Sequence, residues 1–535
     1  MQIDFLTKTE KIFNKKSLFI FLFVLVAILV INIVWINIDN DPPLWDMAGH
    51  SARSAETADY LSSLSLKTLL LKETHYPPFV YLVTAPLYVF GYFQDIPQYS
   101  LLIFFAVLLF SVFALTKIIT KSLFAAIFAM VITALFPLMS HFSKIYDLDM
   151  PLAAMFVLSL LLLVKTKFFS NRNYSLLFGL VAACSLLTKF MFPFFLGPIL
   201  IVYIIYFFAS KQKIKNSYLN LIYSAVIFLI ASVPWYFLHY ELILKVGRET
   251  AINDFYVKYS NLLSMGNISY YFYQTNYGIT FVAMALFIVA IIYLIIKKNH
   301  AAIFLFASSV ATYAILTFGF TAKENRFLLP VYPVIAIIIA IFISKIRFKY
   351  IKYGLAGLCV AVLFLFWLQT TWNVTIFNNI NTWPKDLRIY GTRLVTEQDP
   401  QYGFTHPVQY NSNLVNLVDK IETKDNVRIL VVPNSLFLTS NHIEYYGNLK
   451  GIKADYYLSR KIKISKDYEN ILLEADYVIT KTGDQGPKAW SLNASEVAEL
   501  EQKNPQFFED NFDTIYEYSF EGVTESSKVK LYKRL

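Results

Sequence analysis

The chain has 535 residues, of which 56% are hydrophobic and only 16% are charged, and its mean hydropathy is +0.49. Soluble globular domains contain about 45–50% apolar and about 25% charged residues, so this composition excludes a soluble protein and indicates a polytopic membrane protein. The formal net charge is +10. Because the lysines and arginines are spread over short loops between apolar runs, they argue against a nucleic-acid-binding surface.

The first apolar run predicts an uncleaved membrane span. Four lysines between Lys8 and Lys16 precede the run Leu18 to Ile38, which is close to the ~20 residues that cross a bilayer. Basic flanks favour the cytoplasmic side, so the amino end is expected inside. The following outer loop, 39–97, contains the apolar stretch 79–92. This stretch is short and interrupted by Pro86, which favours an interfacial or re-entrant helix over a span.

The remaining apolar runs predict a polytopic α-helical protein with about eleven membrane spans. Basic clusters recur in alternate gaps and mark the cytoplasmic side. An odd number of spans places the carboxyl-terminal part outside. Residues 1–371 are expected to form the membrane domain and residues 372–535 a soluble, extracytoplasmic α/β domain. After the first span, the predicted spans are 98–116, 122–141, 150–164, 174–188, 191–209, 218–238, 277–296, 301–320, 327–344 and 352–371.

The carboxyl-terminal part alternates strand-like and helical segments. Residues 427–432 and 477–480 are rich in β-branched and aromatic residues, which predicts strands, and the segment 468–475 between them reads as a helix. Neither cysteine, Cys184 or Cys359, has metal-ligand spacing, so a disulfide framework or a cysteine metal site is not indicated.

The first outer loop carries the first group of candidate catalytic residues. Asp46, His50, Arg53 and Glu56 follow one another at helical spacing, so a helix would place them on one face. A carboxylate near a low-dielectric surface is suited to act as a general base, because partial desolvation raises its proton affinity. Capping of the helix is the alternative role for Asp46.

Further charged residues lie in the outer gaps between the later spans. Tyr146, Asp147 and Asp149 precede the fourth span, where Asp149 is a candidate helix cap and Asp147 is expected to be a solvated neighbour. Lys189 lies alone among apolar residues, which favours either snorkelling or binding of an anionic ligand. Glu324 and Arg326 flank the tenth span, and arginine is the better clamp for a phosphate.

Five segments together resemble the GT-C superfamily of membrane glycosyltransferases, above all the protein O-mannosyltransferases and the lipid A aminoarabinose transferases. The resemblance covers roughly residues 15–345, and the carboxyl-terminal part shows none. The five segments are WDMAGHSARSAE at 45–56, HYPPFVYLVTAPLYVFG at 75–91, IYDLDMPLAAMFVL at 145–158, LLTKFMFPFFLGP at 186–198 and ENRFLLPVYPVIAI at 324–337.

The resemblance implies an inverting transfer of a sugar from a polyprenyl-phosphate donor at the outer membrane face. Asp46 would be the catalytic base, Lys189 and Arg326 would hold the leaving phosphate, and Asp149 would order the site. The supporting residues would be His50, Arg53, His75, Tyr146, Asp147 and Glu324. The acceptor would be a glycan, a lipid or a protein.

Two departures from the family pattern bear on the sugar, the acceptor and the metal. Met47 follows Asp46 where the family has a second acidic residue, and His75-Tyr76 precedes the two prolines in place of the usual Glu/Lys. No cofactor is expected, although Glu73 and His75 leave a divalent-metal site open. The alternatives are a flippase or transporter of lipid-linked sugars and a non-catalytic assembly protein on the same scaffold. The expected location is a bacterial plasma membrane.

Overall fold

The structure is a computed structural model. It describes residues 12–72, 74–209, 216–252, 261–320, 323–372, 374, 388–389, 392–393, 413–423, 426–435, 438–458, 467–486, 493–521 and 526–535. Glu73 and the basic cluster at 211–215 lie outside the described residues.

From Lys15 to Trp372, the described part of the chain consists of helices joined by short loops. Two short 3₁₀ helices, Ala85–Phe90 and Asn325–Val331, interrupt the α-helical order. The α-helices are α1 (Lys15–Ile38), α2 (Trp45–Ser62), α3 (Leu66–Leu71), α4 (Phe79–Thr84), α5 (Ile96–Thr120), α6 (Leu123–Leu135), α7 (Pro137–Phe142), α8 (Asp149–Thr166), α9 (Arg172–Leu186), α10 (Phe192–Ala209), α11 (Ser217–Ile252), α12 (Met265–Ile279), α13 (Phe281–Ile296), α14 (His300–Phe318), α15 (Tyr332–Lys345) and α16 (Lys349–Trp372).

Each of the eleven predicted spans overlaps an α-helix, but the span predicted at 122–141 is divided at Phe136 into α6 and α7. In the described part of the chain, seven helical segments are long and apolar enough to cross a membrane, or eight if the pair α12–α13 forms one span. That pair bends by 115° at Thr280, whose φ of 73° breaks the helix. The helices α6 and α9, at 13 and 15 residues, are shorter than the ~20 residues of a straight span.

Burial separates central helices from peripheral ones. In their most apolar windows, α8 is 83% buried and the segment Asn325–Lys345 is 89% buried, whereas α1 is only 22% buried. A helix that is apolar all round lies inside a bundle or against lipid. The two central segments therefore carry the residues at their amino ends, Asp149 and Arg326, into the middle of the bundle.

The first outer loop contains α2, α3, α4 and the first 3₁₀ helix. The predicted non-spanning helix at 79–92 is α4 followed by that 3₁₀ helix, and its inner face buries Val80, Tyr81 and Thr84. The backbone N–H of Phe79 donates to the Leu187 carbonyl at 3.1 Å. This bond joins the outer loop to the turn between α9 and α10.

The carboxyl-terminal part contains a mixed sheet with helices on both faces. A two-residue pair, β1 (Arg388–Ile389) and β2 (Thr392–Arg393), comes first, and the five-stranded sheet has the order β4-β3-β5-β7-β6. Of its four pairings, β4–β3 and β3–β5 are parallel, and β5–β7 and β7–β6 are antiparallel. The elements are α17 (Asn413–Val418), β3 (Val427–Val431), α18 (Ser440–Leu449), β4 (Ala454–Leu458), α19 (Tyr468–Leu473), β5 (Tyr477–Lys481), α20 (Ala494–Lys503), α21 (Pro505–Asn511), β6 (Phe512–Glu521) and β7 (Ser526–Arg534).

Alternate side chains of the strands fill two separate cores. Ile429 and Val431 of β3 pack with α17 and α18, and Leu430 and Val478 pack on the other face with α19, α20 and α21. The strands and helix predicted at 427–432, 477–480 and 468–475 are thus present.

Helix α18 docks onto the first outer loop. The core of α17 and α18 includes Ala52 of α2. The buried His442 Nε2 donates to the Pro43 carbonyl at 2.7 Å, and the Tyr445 hydroxyl donates to the Gln94 carbonyl at 2.6 Å. The carboxyl-terminal sheet therefore lies at the same end of the helical bundle as α2.

Candidate active site

Arg326 is the centre of the candidate site. It is the second residue of the 3₁₀ helix before α15, and its side chain is only 8% exposed. Its Nη1 donates to Asp147 Oδ2 at 2.6 Å, and its Nε also contacts the Glu324 carboxylate. Two further carboxylate oxygens lie near its guanidinium, Asp149 Oδ2 at 3.7 Å and Asp46 Oδ2 at 3.8 Å. The fold thus gathers four carboxylates around one arginine.

Asp147 is buried, and the prediction that it is a solvated neighbour is wrong. Its side chain is 2% exposed, and its Oδ1 accepts the Leu148 backbone N–H at 2.5 Å. Burial alone would raise its pKa, but the charges of Arg326 and Lys189 outweigh burial and hold the pKa well below its usual range. The ion pair with a residue far along the chain explains why Asp147 lies inside.

Lys189 and Asp149 form a second buried ion pair. Lys189 lies in the turn between α9 and α10, and its Nζ donates to Asp149 Oδ1 at 2.8 Å. Asp149 is the first residue of α8 and not its cap, which is Leu148. A negative charge is favoured in the first turn of a helix, because the backbone N–H groups there point towards it. Lys189 is therefore paired and does not snorkel.

Asp46 is the most accessible carboxylate of the group. It lies in the first turn of α2, whose cap is Leu44, and 42% of its side chain is exposed. Partial burial raises the pKa of Asp46, and the charges of Arg326 and Lys189 act in the opposite direction. An exposed carboxylate with raised proton affinity has the properties of a general base.

His50 and Arg53 continue along α2 and meet two tyrosines. His50 Nδ1 lies 2.7 Å from the Tyr81 hydroxyl, and its ring packs edge-on against Tyr76 at 4.6 Å between centroids. Arg53 Cζ lies 5.7 Å from the Tyr76 ring centroid and 6.0 Å from that of Tyr81. Burial lowers the pKa of His50 to about 3, so its ring is neutral.

The other supporting residues lie beside the carboxylate group. The His75 ring packs against Tyr76 at 3.9 Å between centroids. The buried Tyr146 hydroxyl lies 2.8 Å from Thr84 Oγ1, so it joins α4 to the segment before α8. The Glu56 carboxylate forms an ion pair with Lys72.

The sequence patterns did not identify Tyr81 as a residue of the site. Its hydroxyl lies beside His50, and its ring lies beside the Arg53 guanidinium. In the sequence, Tyr81 is recognisable only as an aromatic residue of the apolar segment 79–92, and such a residue is interpreted as part of the hydrophobic core. In the described part of the chain, no group of three or more His, Cys, Asp or Glu side chains is arranged to hold a metal ion.

A cleft adjoins the site on the side of the carboxyl-terminal part. Its lining includes Met47 and Tyr146, the chain neighbours of Asp46 and Asp147. Tyr446 of α18 also lines it. The cleft therefore lies beside the candidate site, between the first outer loop and α18.

Comparisons with known proteins agree with this architecture. Residues 76–250 match the model of the dolichyl-phosphate-mannose-protein mannosyltransferase family. The crystal structure of ArnT from Cupriavidus metallidurans bound to undecaprenyl phosphate is similar with a TM-score of 0.58 at 13% identity, covering 96% of this chain and 97% of that one. Its apo state gives a TM-score of 0.56 at 14% identity, covering 95% and 97%. No curated protein sequence matches the chain.

The structural similarity extends over nearly the whole chain, including the carboxyl-terminal sheet, whereas the family model covers only the segment from Tyr76 to Thr250. Asp46 and Arg326 lie outside that segment, so their assignment depends on the geometry above. The predicted fold class and the predicted resemblance are confirmed: the chain is a multi-pass membrane protein with the ArnT-like fold of the GT-C type and with a segment similar to the protein O-mannosyltransferases.

Proposed function

We propose that the protein is an inverting glycosyltransferase that moves a sugar from a polyprenyl-phosphate donor to an acceptor. The observation that carries the proposal is the position of Asp46, an accessible carboxylate whose Oδ2 lies 3.8 Å from Nη2 of the buried Arg326. Two likenesses support it: the mannosyltransferase family model, and an ArnT structure that contains undecaprenyl phosphate.

The proposed reaction is a single displacement. Asp46 takes the proton from the acceptor's nucleophilic group, which attacks the anomeric carbon of the donor sugar. The bond from that carbon to the phosphate oxygen breaks, and its electron pair leaves with the lipid phosphate. Because attack and departure occur on opposite faces of the sugar, the anomeric configuration inverts. One base is sufficient, and the proton remains on the Asp46 carboxyl.

Lys189 and Arg326 provide positive charge at the leaving phosphate in this proposal. The distances from the Arg326 guanidinium to Asp149 and Asp46, 3.7 and 3.8 Å, are those of ion pairs and are longer than direct hydrogen bonds. Asp149 orders Lys189 through the 2.8 Å ion pair. Asp147 and Glu324 hold the guanidinium in place from the other side.

The proposed location of the reaction is the extracytoplasmic face of a bacterial plasma membrane. Basic loops mark the cytoplasmic side, and the loop that carries Asp46 is on the other side by that rule. Residues 372–535 would then form an extracytoplasmic domain, in accord with the docking of α18 onto α2. That domain would close the cleft through which the acceptor enters.

Mass spectrometry of polyprenyl-phosphate sugars tests the proposal. Cells that lack the gene are expected to accumulate one lipid-linked sugar, and the purified protein should consume that lipid in reconstituted membranes. Complementation with the wild-type gene should restore the normal pool, whereas the Asp46→Asn gene should not. An unchanged lipid pool, together with no consumption by the purified protein, would show that the proposed function is wrong.

A further inference from the structure

Arg53 differs from the other two basic residues of the site because none of the described carboxylates forms an ion pair with it. Lys189 is paired with Asp149, and Arg326 contacts four carboxylates. Arg53, by contrast, forms no ion pair in the described part of the chain. Its Nη1 is buried and has no hydrogen-bond partner there.

An unpartnered buried guanidinium nitrogen has a large free-energy cost, because it has lost its hydration without gaining an acceptor. The neighbours of Arg53 position the group without satisfying it. Tyr76 and Tyr81 present ring faces to its guanidinium at 5.7 and 6.0 Å, which stabilises the charge but accepts no in-plane hydrogen bond. The Arg53 guanidinium therefore has an N–H donor, on Nη1, that is available to an oxygen of an anionic ligand.

The spacing along α2 fits this role. Asp46 and Arg53 are seven residues apart, which is about two turns and about 10.5 Å of helix rise on one face. In an inverting displacement, the base is separated from the phosphorus by four lengths. They are one hydrogen bond, one attack distance, and the carbon–oxygen and oxygen–phosphorus bonds of the departing ester. These lengths sum to roughly 9 Å. A phosphate bound by Arg53 therefore lies at a suitable distance from a base at Asp46.

The same distance argues against Arg326 as the principal phosphate ligand. Its Nη2 is 3.8 Å from Asp46 Oδ2, so a phosphate on that nitrogen would lie close to the base, with little space for a sugar between them. The four carboxylates and two cations around Arg326 also sum to a formal charge of −2 when all are ionised. The positive charges of Arg326 and Lys189 are therefore already balanced by carboxylates, whereas Arg53 has no carboxylate within ion-pair distance in the described part of the chain.

We propose that Arg53 is the principal ligand of the donor's phosphate, held between Tyr76 and Tyr81, and that Arg326 and Lys189 adjust the charge around the base. This inference rests on the proposed function and deepens it. The ligand class is a phosphodiester or phosphomonoester on a polyprenyl chain. A planar guanidinium binds two oxygens of such a group at once.

Binding of undecaprenyl phosphate and of undecaprenol to the full-length protein in nanodiscs tests the inference. The two probes differ only in the phosphate, so their affinity ratio isolates its contribution. Arg53→Gln is expected to weaken binding of undecaprenyl phosphate by about tenfold or more, and to leave undecaprenol binding unchanged. Arg53→Lys retains the charge without the fork, so an intermediate affinity is expected.

The control variant is Lys67→Gln, which removes an exposed cation of the same outer loop. It should bind both probes like the wild type, and melting temperatures identify any variant that has lost its fold. The inference would be overturned if Arg53→Gln kept the wild-type ratio of affinities for the two probes. It would also be overturned if Arg53→Lys bound undecaprenyl phosphate no better than Arg53→Gln. Either result would leave the proposed function standing. Equal wild-type affinity for the two probes would overturn both.

Discussion

Asp147 and Arg326 form a buried ion pair, 2.6 Å from Oδ2 to Nη1, between positions 179 residues apart in the chain. The pair joins the segment before α8 to the segment before α15. Both segments begin central helices, so the pair fixes the relative position of two amino ends within the bundle. The candidate site is built on this contact.

We expect Arg326→Gln to destabilise the protein, because it leaves the buried Asp147 carboxylate without its partner. Breaking a buried ion pair by removal of one member costs about 3–5 kcal/mol. The double variant Arg326→Gln, Asp147→Asn should recover part of that loss, because it removes both charges. Thermal unfolding in detergent measures both effects, and a double variant less stable than the single one would contradict the pairing.

The pH dependence of transfer should report the raised pKa of Asp46. A general base acts when it is deprotonated, and burial raises its pKa above the ordinary value of 3.8. The value of kcat/KM should therefore fall, as pH is lowered, at a pH above 3.8. His50 does not contribute, because its pKa is lowered to about 3.

Lys189→Gln provides the matched test of that assignment. The charge of Lys189 lowers the pKa of Asp46, so its removal should move the acid limb of the profile to higher pH. If the acid limb of the profile moved to lower pH or stayed in place, the titrating group would not be Asp46.

The contact between α2 and α18 should depend on the absence of a side chain at Gly49. A Cβ at this position would lie 2.8 Å from Asn441 Nδ2. Gly49→Ala is tolerable because the Asn441 side chain can rotate, but Gly49→Leu should separate the helices and cost about 1–3 kcal/mol. The control is Gly247→Leu on α11, where no atom lies within 4 Å of the added Cβ. Equal melting temperatures for the two leucine variants would contradict the docking.

Cysteine labelling should show that the outer loop and the basic loops face opposite compartments. In a variant without Cys184 and Cys359, we expect Ser63→Cys to react with an impermeant maleimide in intact cells. Tyr350→Cys, at a position that is 94% exposed, should react only after permeabilisation. Reaction of both positions from the same side would contradict the predicted sidedness.

The helices could be predicted from the sequence because long apolar runs and basic flanks are local properties of the chain. The break at Thr280 was missed, since the preceding helix, Met265–Ile279, is rich in polar and aromatic residues and has no span-like composition. Local patterns describe one segment at a time, so they could not predict how α12 meets α13.

The members of the candidate site could also be predicted, but their pairings could not. Asp147 looked solvated because its partner, Arg326, lies in a different segment, and only the fold brings the two together. The role of Tyr81 was equally hidden, because it depends on the arrangement of α4 against α2. Charge and burial decide such roles, and both are properties of the assembled structure.

The most direct test of the central claim is sugar transfer by Asp46→Asn in reconstituted membranes. Loss of a general base lowers a rate by typically about 10²–10⁴-fold, so we expect transfer to fall by that factor while undecaprenyl phosphate still binds. Asp59→Asn, the same change at an exposed position of the same helix, should retain full activity. Wild-type turnover in Asp46→Asn would contradict the account.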